Sequence, residues 1–233
     1  LYLVGTISDP TWSHLDDYKM SFVGNSSYAI TTHLDAGDYN FKVSAYDWAY
    51  PNIGDGGDAG EVQITLGESY SLRIDGGSGD IQMNIAEAGE YTFILNGSDR
   101  NAPSIMVKQA ADKPKFAATA YIRGTVNANG GWNTEDPMLY VGNGKYVTSI
   151  YLEASADNYM FKLASEDWGT INLGASNATV TLGQALTLSG TDNGDIALPI
   201  TESGDYVFEV DASDAAAPVL TVTKETQPYS GET

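Results

Sequence analysis

The chain has 233 residues, of which 31 are acidic and 11 basic, so its formal net charge at pH 7 is -20, and it has no cysteine. This charge opposes binding to nucleic acid phosphates and to anionic membranes, and the lack of cysteine leaves each core to be held by packing without disulfides. The 25 glycines and 15 tyrosines, and the absence of an apolar run long enough to span a bilayer, indicate short strands joined by tight turns.

The chain contains two copies of one unit, because the same short motifs recur in the same order along nearly its whole length. The matched segments are "YLVGT" (2–6) with "YIRGT" (121–125), "GNSSY" (24–28) with "GNGKY" (142–146), and "GEYTF" (89–93) with "GDYVF" (204–208). Each copy has the size of an ordinary small domain.

Two domains are therefore predicted, at residues 1–109 and 119–225. The stretch between them, residues 110–118, has the composition of a short linker, and residues 226–233 are expected to form a tail or a further linker. We expect the polypeptide to belong to a longer modular protein.

The apolar residues of each copy recur with a period of two, which is the period of a half-buried strand. In "YNFKV" the side chains of Tyr39, Phe41 and Val43 fall on one face and Lys42 on the other, and "YMFKL" repeats the pattern at residues 159–163. With turn-forming residues at short intervals, this predicts an all-β chain built as two tandem antiparallel β-sandwich domains of immunoglobulin-like type.

All four tryptophans fall in matched pairs, Trp12 with Trp132 and Trp48 with Trp168. Trp12 and Trp132 follow the first strand of each copy in segments rich in turn formers, where a buried core residue is less expected. The competing interpretation is that each sandwich needs a large core aromatic residue.

The second tryptophan of each copy follows the "YNFKV" or "YMFKL" strand. If the alternation continues without a bulge, Trp48 faces outward with Lys42, and Trp168 faces outward with Lys162. One loop tryptophan and one strand-end tryptophan per copy would then form a platform.

An exposed indole face beside lysine and amide groups suits a sugar ring, which has a patch of C–H bonds on one side and hydroxyl groups around its edge. The lysines and the asparagines each have a structural alternative. Lys42 and Lys162 are also consistent with solvated strand positions, and Asn52 and Asn172 with turn formation before a glycine.

The order "YxRGTxNxxGGW", "PM", "GxGxY" and "YxFKxAxxDWxxxNxG" over residues 121–174, matched more loosely over residues 2–54, resembles starch-binding β-sandwich modules attached to secreted pullulanases, amylopullulanases and α-amylases. The resemblance covers about half of each copy, and the first copy departs from it with "SDPTWSH" and "AYPN". It implies non-catalytic binding of starch, glycogen, pullulan or malto-oligosaccharide, a covalently linked catalytic domain, and a location outside a bacterial cell or on its surface. The implied carbohydrate-binding residues are Trp12, Lys42, Trp48, Asn52, Trp132, Lys162, Trp168 and Asn172.

Three alternatives compete with this function. An enzyme is not expected, because the acidic residues lie mostly in turns and His14 and His33 lack the spacing of metal ligands. No cofactor is expected, although the Asp- and Gly-rich loops at residues 55–58 and 75–80 have oxygen ligands that would suit calcium, with simple turn formation as the alternative. A tandem immunoglobulin-like spacer or protein-interaction array is the remaining alternative, favoured if the tryptophans are buried.

Overall fold

The computed structural model describes residues 1–55, 62–74, 79–110, 115–129 and 131–229. The chain divides into two compact units, one containing Leu1–Ala110 together with the segment from Gln227 onwards, and the other extending from Ala111 to Thr226. The central residues of the expected linker, 111–114, and the end of the expected tail, 230–233, lie outside the described residues.

The prediction of an all-β chain is confirmed in both units, whose regular structure is almost entirely strand. Among the described residues no helix has the length and apolar character needed to cross a bilayer. The strands of the first unit are β1 (Tyr2–Gly5), β2 (Ser21–Gly24), β3 (Ser27–Leu34), β4 (Gly37–Ser44), β5 (Asn52–Asp55), β6 (Val62–Ile64), β7 (Ser69–Ile74), β8 (Ile81–Ile85), β9 (Gly89–Asn96) and β10 (Ser104–Gln109), with short 3-10 helices at Asp16–Tyr18 and Tyr46–Trp48.

Hydrogen bonds join the strands of the first unit in the order β2-β3-β9-β10-β7-β5-β4-β8-β6, and β1 pairs with β4. The prediction of antiparallel pairing is wrong at one edge, where β6 and β8 run parallel. The reason is topological, because the chain leaves this edge after β6 to form β7 and then returns in the same direction.

The second unit contains two sheets. Its strands are β11 (Tyr121–Gly124), β12 (Leu139–Gly142), β13 (Lys145–Leu152), β14 (Tyr159–Ala164), β15 (Asn172–Leu173), β16 (Leu186–Thr187), β17 (Ile196–Leu198), β18 (Gly204–Asp211) and β19 (Val219–Glu225). One sheet has the order β11-β14-β15 with β17 on the other side of β14, and the second has the order β12-β13-β18-β19-β16.

A matched pair of phenylalanines lies at the centre of each core. Phe41 of β4 meets Phe93 of β9 edge to face with ring centroids 5.3 Å apart, and Phe161 of β14 meets Phe208 of β18 in the same way at 5.4 Å. All four rings are fully buried. The alternating apolar residues of the two "FK" strands therefore pack against the strand that carries the "YTF" or "YVF" motif.

A buried tyrosine fixes the corner before that strand in each unit. The Tyr91 hydroxyl donates to the carbonyl oxygen of Glu87 at 2.7 Å, and the Tyr206 hydroxyl donates to that of Glu202 at the same distance. Both rings are 1% exposed, and burial raises the pKa of both hydroxyls. The repeated "GEY" and "GDY" motifs therefore share one corner geometry.

An aromatic residue from outside the strands fills a matched groove in each unit. In the second unit the Phe116 N–H donates to the Tyr146 hydroxyl at 3.0 Å, with ring centroids 4.8 Å apart. In the first unit the Tyr229 N–H donates to the Tyr28 hydroxyl at 3.2 Å, with centroids 6.1 Å apart. Tyr229, expected in a tail, is 6% exposed and contributes to this core.

We expect Tyr229→Ala to destabilise the first unit by about 2–4 kcal/mol, because it removes a buried ring and leaves a cavity beside Tyr28. Urea unfolding would measure the change. Tyr229→Phe is expected to keep most of the stability, because it keeps the buried ring and the bond from the Tyr229 hydroxyl to the Arg100 carbonyl oxygen is long, at 3.4 Å. Tyr151→Ala, at a side chain that is 63% exposed, is the surface control. Parental stability in Tyr229→Ala would show that the groove is not part of the core.

Candidate functional site

The loop that carries the first tryptophan of each unit starts at a glycine that touches the neighbouring strand. A Cβ atom on Gly5 would collide with the carbonyl oxygen of Asn40, and one on Gly124 would collide with that of Met160. Only glycine fits so close an approach of two backbones. The "GT" motif therefore marks the point at which the chain turns away from the strand.

The same glycine then anchors the tryptophan. The Trp12 N–H donates to the Gly5 carbonyl oxygen at 2.9 Å, and the Trp132 N–H donates to that of Gly124 at 3.0 Å. The loop after the first strand is thus closed on itself in both units.

The prediction that Trp48 and Lys42 share one face of a strand is wrong. β4 ends at Ser44, and Trp48 lies beyond it in the 3-10 turn Tyr46–Trp48, where its side chain is 39% exposed. Lys42 is 7% exposed and lies opposite Val4 in the pairing of β1 with β4. The alternation cannot be extended past Ser44, because Asp47 and Trp48 have left-handed backbones with φ of 55° and 62°.

In the second unit, too, the strand ends before the tryptophan, because β14 ends at Ala164 and Trp168 follows it. Here the lysine does lie near the indole, with the Lys162 Nζ 5.9 Å from the Trp168 ring centroid. The sequence-based pairing of these two residues therefore describes a real proximity, although it arises from a turn and not from a continuous strand face.

An aspartate carboxylate organises the turn around Trp168. The Asp167 Oδ1 accepts hydrogen bonds from the Ser165 hydroxyl at 2.5 Å and from the Gly169 and Thr170 N–H groups at 3.0 Å each. These bonds, with that of Ser165 the most important, hold the pKa of the Asp167 carboxyl far below its usual range. The aspartate of the second Asp-Trp pair is thus a scaffold for the tryptophan.

All four tryptophans adopt the left-handed backbone conformation. Their φ angles are 61° at Trp12, 62° at Trp48, 60° at Trp132 and 57° at Trp168. This region is unfavourable for a bulky L-residue and costs of order 1–3 kcal/mol at each position. Such strain concentrates at functional sites, and here it recurs at the four residues singled out by the repeat.

The tryptophans of each unit come together as a tilted pair. The ring centroids of Trp12 and Trp48 are 6.2 Å apart with an angle of 33° between their planes, and those of Trp132 and Trp168 are 6.0 Å apart at 39°. Trp48 is exposed and the other three rings are half-buried. None of the four belongs to a core, so each pair forms a bent aromatic surface.

Arg123, which the sequence analysis did not single out, ties the two tryptophan loops of the second unit together. Its guanidinium donates to the carbonyl oxygens of Trp132 at 2.6 and 3.0 Å and of Ser165 at 2.8 Å. Its central carbon lies 4.0 Å from the Trp168 ring centroid, so the cation covers one face of that indole. The sequence marks Arg123 as unusual only through the contrast between "YIRGT" and "YLVGT", in which Val4 occupies the matched position.

His14 supports the first unit's pair in place of that arginine. Its ring meets Trp48 edge-on at 5.1 Å, and its Nε2 is 2.8 Å from the Ser44 hydroxyl oxygen. Burial lowers the pKa of His14, which favours a neutral imidazole near pH 7. The tryptophan geometry is therefore the same in both units, while the groups that support it differ.

Asn52 and Asn172 follow the tryptophan turns at the starts of β5 and β15. Within the part of the chain that the structure describes, the side-chain amide oxygen of each is buried and accepts no hydrogen bond. Asn172 also shares a groove of about 410 Å³ with Trp168 and Asn193. Unsatisfied buried acceptors carry a free-energy cost, so these matched amides share a feature that turn formation alone does not explain.

The two loops considered for calcium are described only at Asp55, Gly79 and Asp80, and the rest of each loop lies outside the described residues. Among the residues that are described, no group of three or more His, Asp or Glu side chains is arranged to hold a metal ion.

The chain resembles solved structures over part of its length. A solved structure described as "Ligand induced structure of AmyP-SBD" is 27% identical to the chain, with 46% of this chain and 70% of that one covered and a TM-score of 0.37. That score is too low for the likeness to bear on fold or function. No family model and no curated protein matches the chain.

We expect Arg123→Met to destabilise the second unit by about 2–3 kcal/mol, because it removes charged hydrogen bonds and leaves buried carbonyl oxygens without donors. Lys162→Met is the matched control, because Lys162 lies directly opposite Arg123 and its removal relieves a like-charge pair. Denaturant unfolding of both variants would test this. Equal stability of the two variants would contradict the role of Arg123 in joining the loops.

The support from Asp167 is expected to depend on pH. Because the folded-state pKa is lowered, the carboxylate stabilises the turn above its unfolded pKa of about 3.9 and loses this effect as the pH falls below that value. The Tm of the parent should therefore exceed that of Asp167→Asn at pH 7, and the difference should shrink below about pH 4. Ser165→Ala places the residue type of the matched Ala45 at this position and removes the hydroxyl that donates to Asp167. In the Ser165→Ala background, the effect of Asp167→Asn on the Tm at pH 7 should therefore be smaller. Parallel Tm curves for the parent and Asp167→Asn would contradict the assignment.

Proposed function

We propose that the chain is a pair of non-catalytic carbohydrate-binding modules that bind α-glucan, namely starch, glycogen, pullulan or malto-oligosaccharide. The observation that carries this proposal is the recurrence, in each unit, of two left-handed tryptophans that meet as a tilted surface outside the core. The proposed binding residues are Trp12, Lys42, Trp48 and Asn52 in the first unit and Trp132, Lys162, Trp168 and Asn172 in the second.

Strain and exposure together favour a ligand role for the indoles. A tryptophan that served only packing would gain more free energy from full burial in an unstrained backbone conformation. Instead, each unit holds two of them in a costly conformation that keeps part of the rings accessible. Stacking on the C–H face of a sugar is an interaction that uses such rings.

The tilt of each pair favours an α-linked chain. An α-1,4-glucan turns continuously, so the faces of neighbouring sugars are inclined to one another, whereas a cellulose-like chain presents flat, extended faces. Indole planes inclined by 33° and 39° match the first arrangement. A β-linked chain would be better served by coplanar rings.

The polar groups around the rings would bind sugar hydroxyls. Lys162 lies beside Trp168 and can donate, and Asn172 lines the same groove as Trp168. The amide oxygens of Asn52 and Asn172 accept no hydrogen bond among the described residues but are buried, so a sugar hydroxyl would reach them only after a local rearrangement. Lys42 belongs to the proposed set because it occupies the position that matches Lys162. Its side chain is nearly buried, so its exposure does not add support.

We also propose that each unit is an immunoglobulin-like sandwich and that the two act in tandem. The hydroxyl of Tyr91 or Tyr206, bonded to a carbonyl oxygen four residues upstream, has the geometry of the tyrosine corner found in that fold. Two linked sites on a polymer with many equivalent epitopes raise the overall avidity. Such modules would hold a covalently attached amylolytic enzyme on polysaccharide outside a bacterial cell or on its surface.

A tandem spacer or protein-interaction array is the second candidate. It would require large aromatic residues in the core, and the tryptophans would be the natural choice. The cores are instead built around Phe41 and Phe93 in one unit and Phe161 and Phe208 in the other. The tryptophans are thus left without a structural role that the spacer needs.

The test is a titration with maltoheptaose followed by tryptophan fluorescence, with a cello-oligosaccharide as the control sugar. Because all four tryptophans lie in the two pairs, Trp132→Ala/Trp168→Ala leaves only the first unit's fluorescence, and Trp12→Ala/Trp48→Ala only the second's. We expect a saturable response to the α-glucan in the parent and in each double variant. The quadruple variant has no tryptophan fluorescence, so its binding is measured by calorimetry and is expected to be absent.

Each indole removed from a stack should cost roughly 1–3 kcal/mol, so loss of a pair should abolish measurable binding at that unit. Tyr151→Ala, at an exposed side chain that belongs to neither tryptophan pair, should bind as the parent does. No response of the parent to either sugar would contradict the proposal and favour the spacer. An equal response to both sugars would contradict the specificity for α-glucan.

A further inference from the structure

The turn after β4 exposes three aromatic rings within five residues. The exposed fractions are 66% for Tyr46, 39% for Trp48 and 52% for Tyr50. Exposed aromatic rings that cluster in this way mark interaction surfaces more often than scattered single residues do. The turn is stabilised by hydrogen bonds from the Ala45 N–H to the Pro51 carbonyl oxygen at 2.9 Å and from the Ala49 N–H to the Tyr46 carbonyl oxygen at 3.2 Å.

Ring contacts connect Tyr46 to the tryptophan pair. Trp12 lies 6.2 Å from Trp48, Trp48 lies 5.1 Å from His14, and His14 lies 5.7 Å from Tyr46, all between ring centroids. Trp12, Trp48, His14 and Tyr46 therefore form a continuous row of rings, which we call the aromatic strip. Tyr50 follows two residues after Trp48 on the same turn.

The second unit has no such extension. The aligned turns "SAYDWAYPN" and "ASEDWGTIN" place Glu166 at the position of Tyr46 and Thr170 at that of Tyr50, and both side chains are exposed. The Thr170 hydroxyl donates to the Asp167 carboxylate at 2.8 Å and so belongs to the scaffold of the turn. This turn of the second unit, residues 164–172, therefore has Trp168 as its single aromatic ring.

We propose that Tyr46 and Tyr50 are specificity-determining residues that lengthen the sugar-binding surface of the first unit, so that it binds a longer stretch of α-glucan than the second unit does. This rests on the proposed function of the tryptophan pairs. The two units then differ in their dependence on chain length. The affinity of the second unit reaches its full value with a short oligosaccharide. The affinity of the first unit rises further as additional sugars contact Tyr46 and Tyr50.

The chemistry of the two tyrosines suits this role. Each phenol has an apolar face for the C–H side of a sugar and a hydroxyl that can donate to or accept from the hydroxyls of the sugar. Glu166 and Thr170 have no ring face, so a sugar that reaches these two positions in the second unit has no ring there on which to stack. A sugar that stacks on one additional ring gains about tenfold in affinity.

The experiment uses the full chain with one site active at a time. In the Trp132→Ala/Trp168→Ala background, calorimetry compares maltotriose with maltoheptaose before and after Tyr46→Glu/Tyr50→Thr, which introduces the residues of the second unit. We expect the maltoheptaose affinity to fall about tenfold or more, with maltotriose affected much less. Tyr46→Phe/Tyr50→Phe, which keeps both rings, should retain most of the preference for the longer sugar.

The reciprocal change, Glu166→Tyr/Thr170→Tyr in the Trp12→Ala/Trp48→Ala background, should increase the preference of the second unit for maltoheptaose. Thermal unfolding of each variant verifies that the fold is intact. An unchanged ratio of the two affinities in Tyr46→Glu/Tyr50→Thr, with maltotriose still bound, would overturn this inference and leave the proposed function intact. Absence of α-glucan binding in both tryptophan backgrounds and in the parent would overturn both.

Discussion

The close approach of a first-strand glycine to its neighbouring strand is the constraint on which each site depends. At Gly5 and at Gly124 the backbones are so near that no side chain fits, and the carbonyl oxygen of the same glycine then accepts the N–H of the loop tryptophan. This bond fixes one indole, and the turn beyond the next strand brings the second indole to it. A short contact between two strands thus determines the position of a surface made by two loops.

The two units reach one tryptophan geometry with different supporting chemistry. In the second unit a guanidinium lies against Trp168 and joins both loops through backbone carbonyl oxygens. In the first unit the imidazole of His14 packs against Trp48 and against the ring of Tyr46. The ring separations and tilts of the two pairs differ by little. The two units therefore share the geometry of the pair and differ in the residues that support it.

Much of the fold follows from the sequence, because period-two apolar patterns and the internal repeat are local and visible. The matched tryptophans were also visible, and their meeting in pairs follows from the turn residues around them. The position of Trp48 could not be predicted by extending the alternation, because β4 ends at Ser44 before two left-handed residues. The burial of Lys42 could not be predicted either, because it accompanies the pairing of β4 with the distant strand β1. Arg123 and Tyr229 make their contacts with residues distant in the chain, and neither stands in a motif whose pattern specifies such a partner.

Phe116 and Tyr229 have a practical consequence for the way in which the chain can be divided. Both rings lie in segments that a motif-based boundary would cut away, yet each completes a groove beside a core tyrosine. A recombinant fragment that starts at Tyr121 would expose the apolar surface of Tyr146, and one that stops at Ala110 would expose that of Tyr28. Low solubility of such fragments would then reflect the choice of cloning boundary and not an intrinsic weakness of the unit.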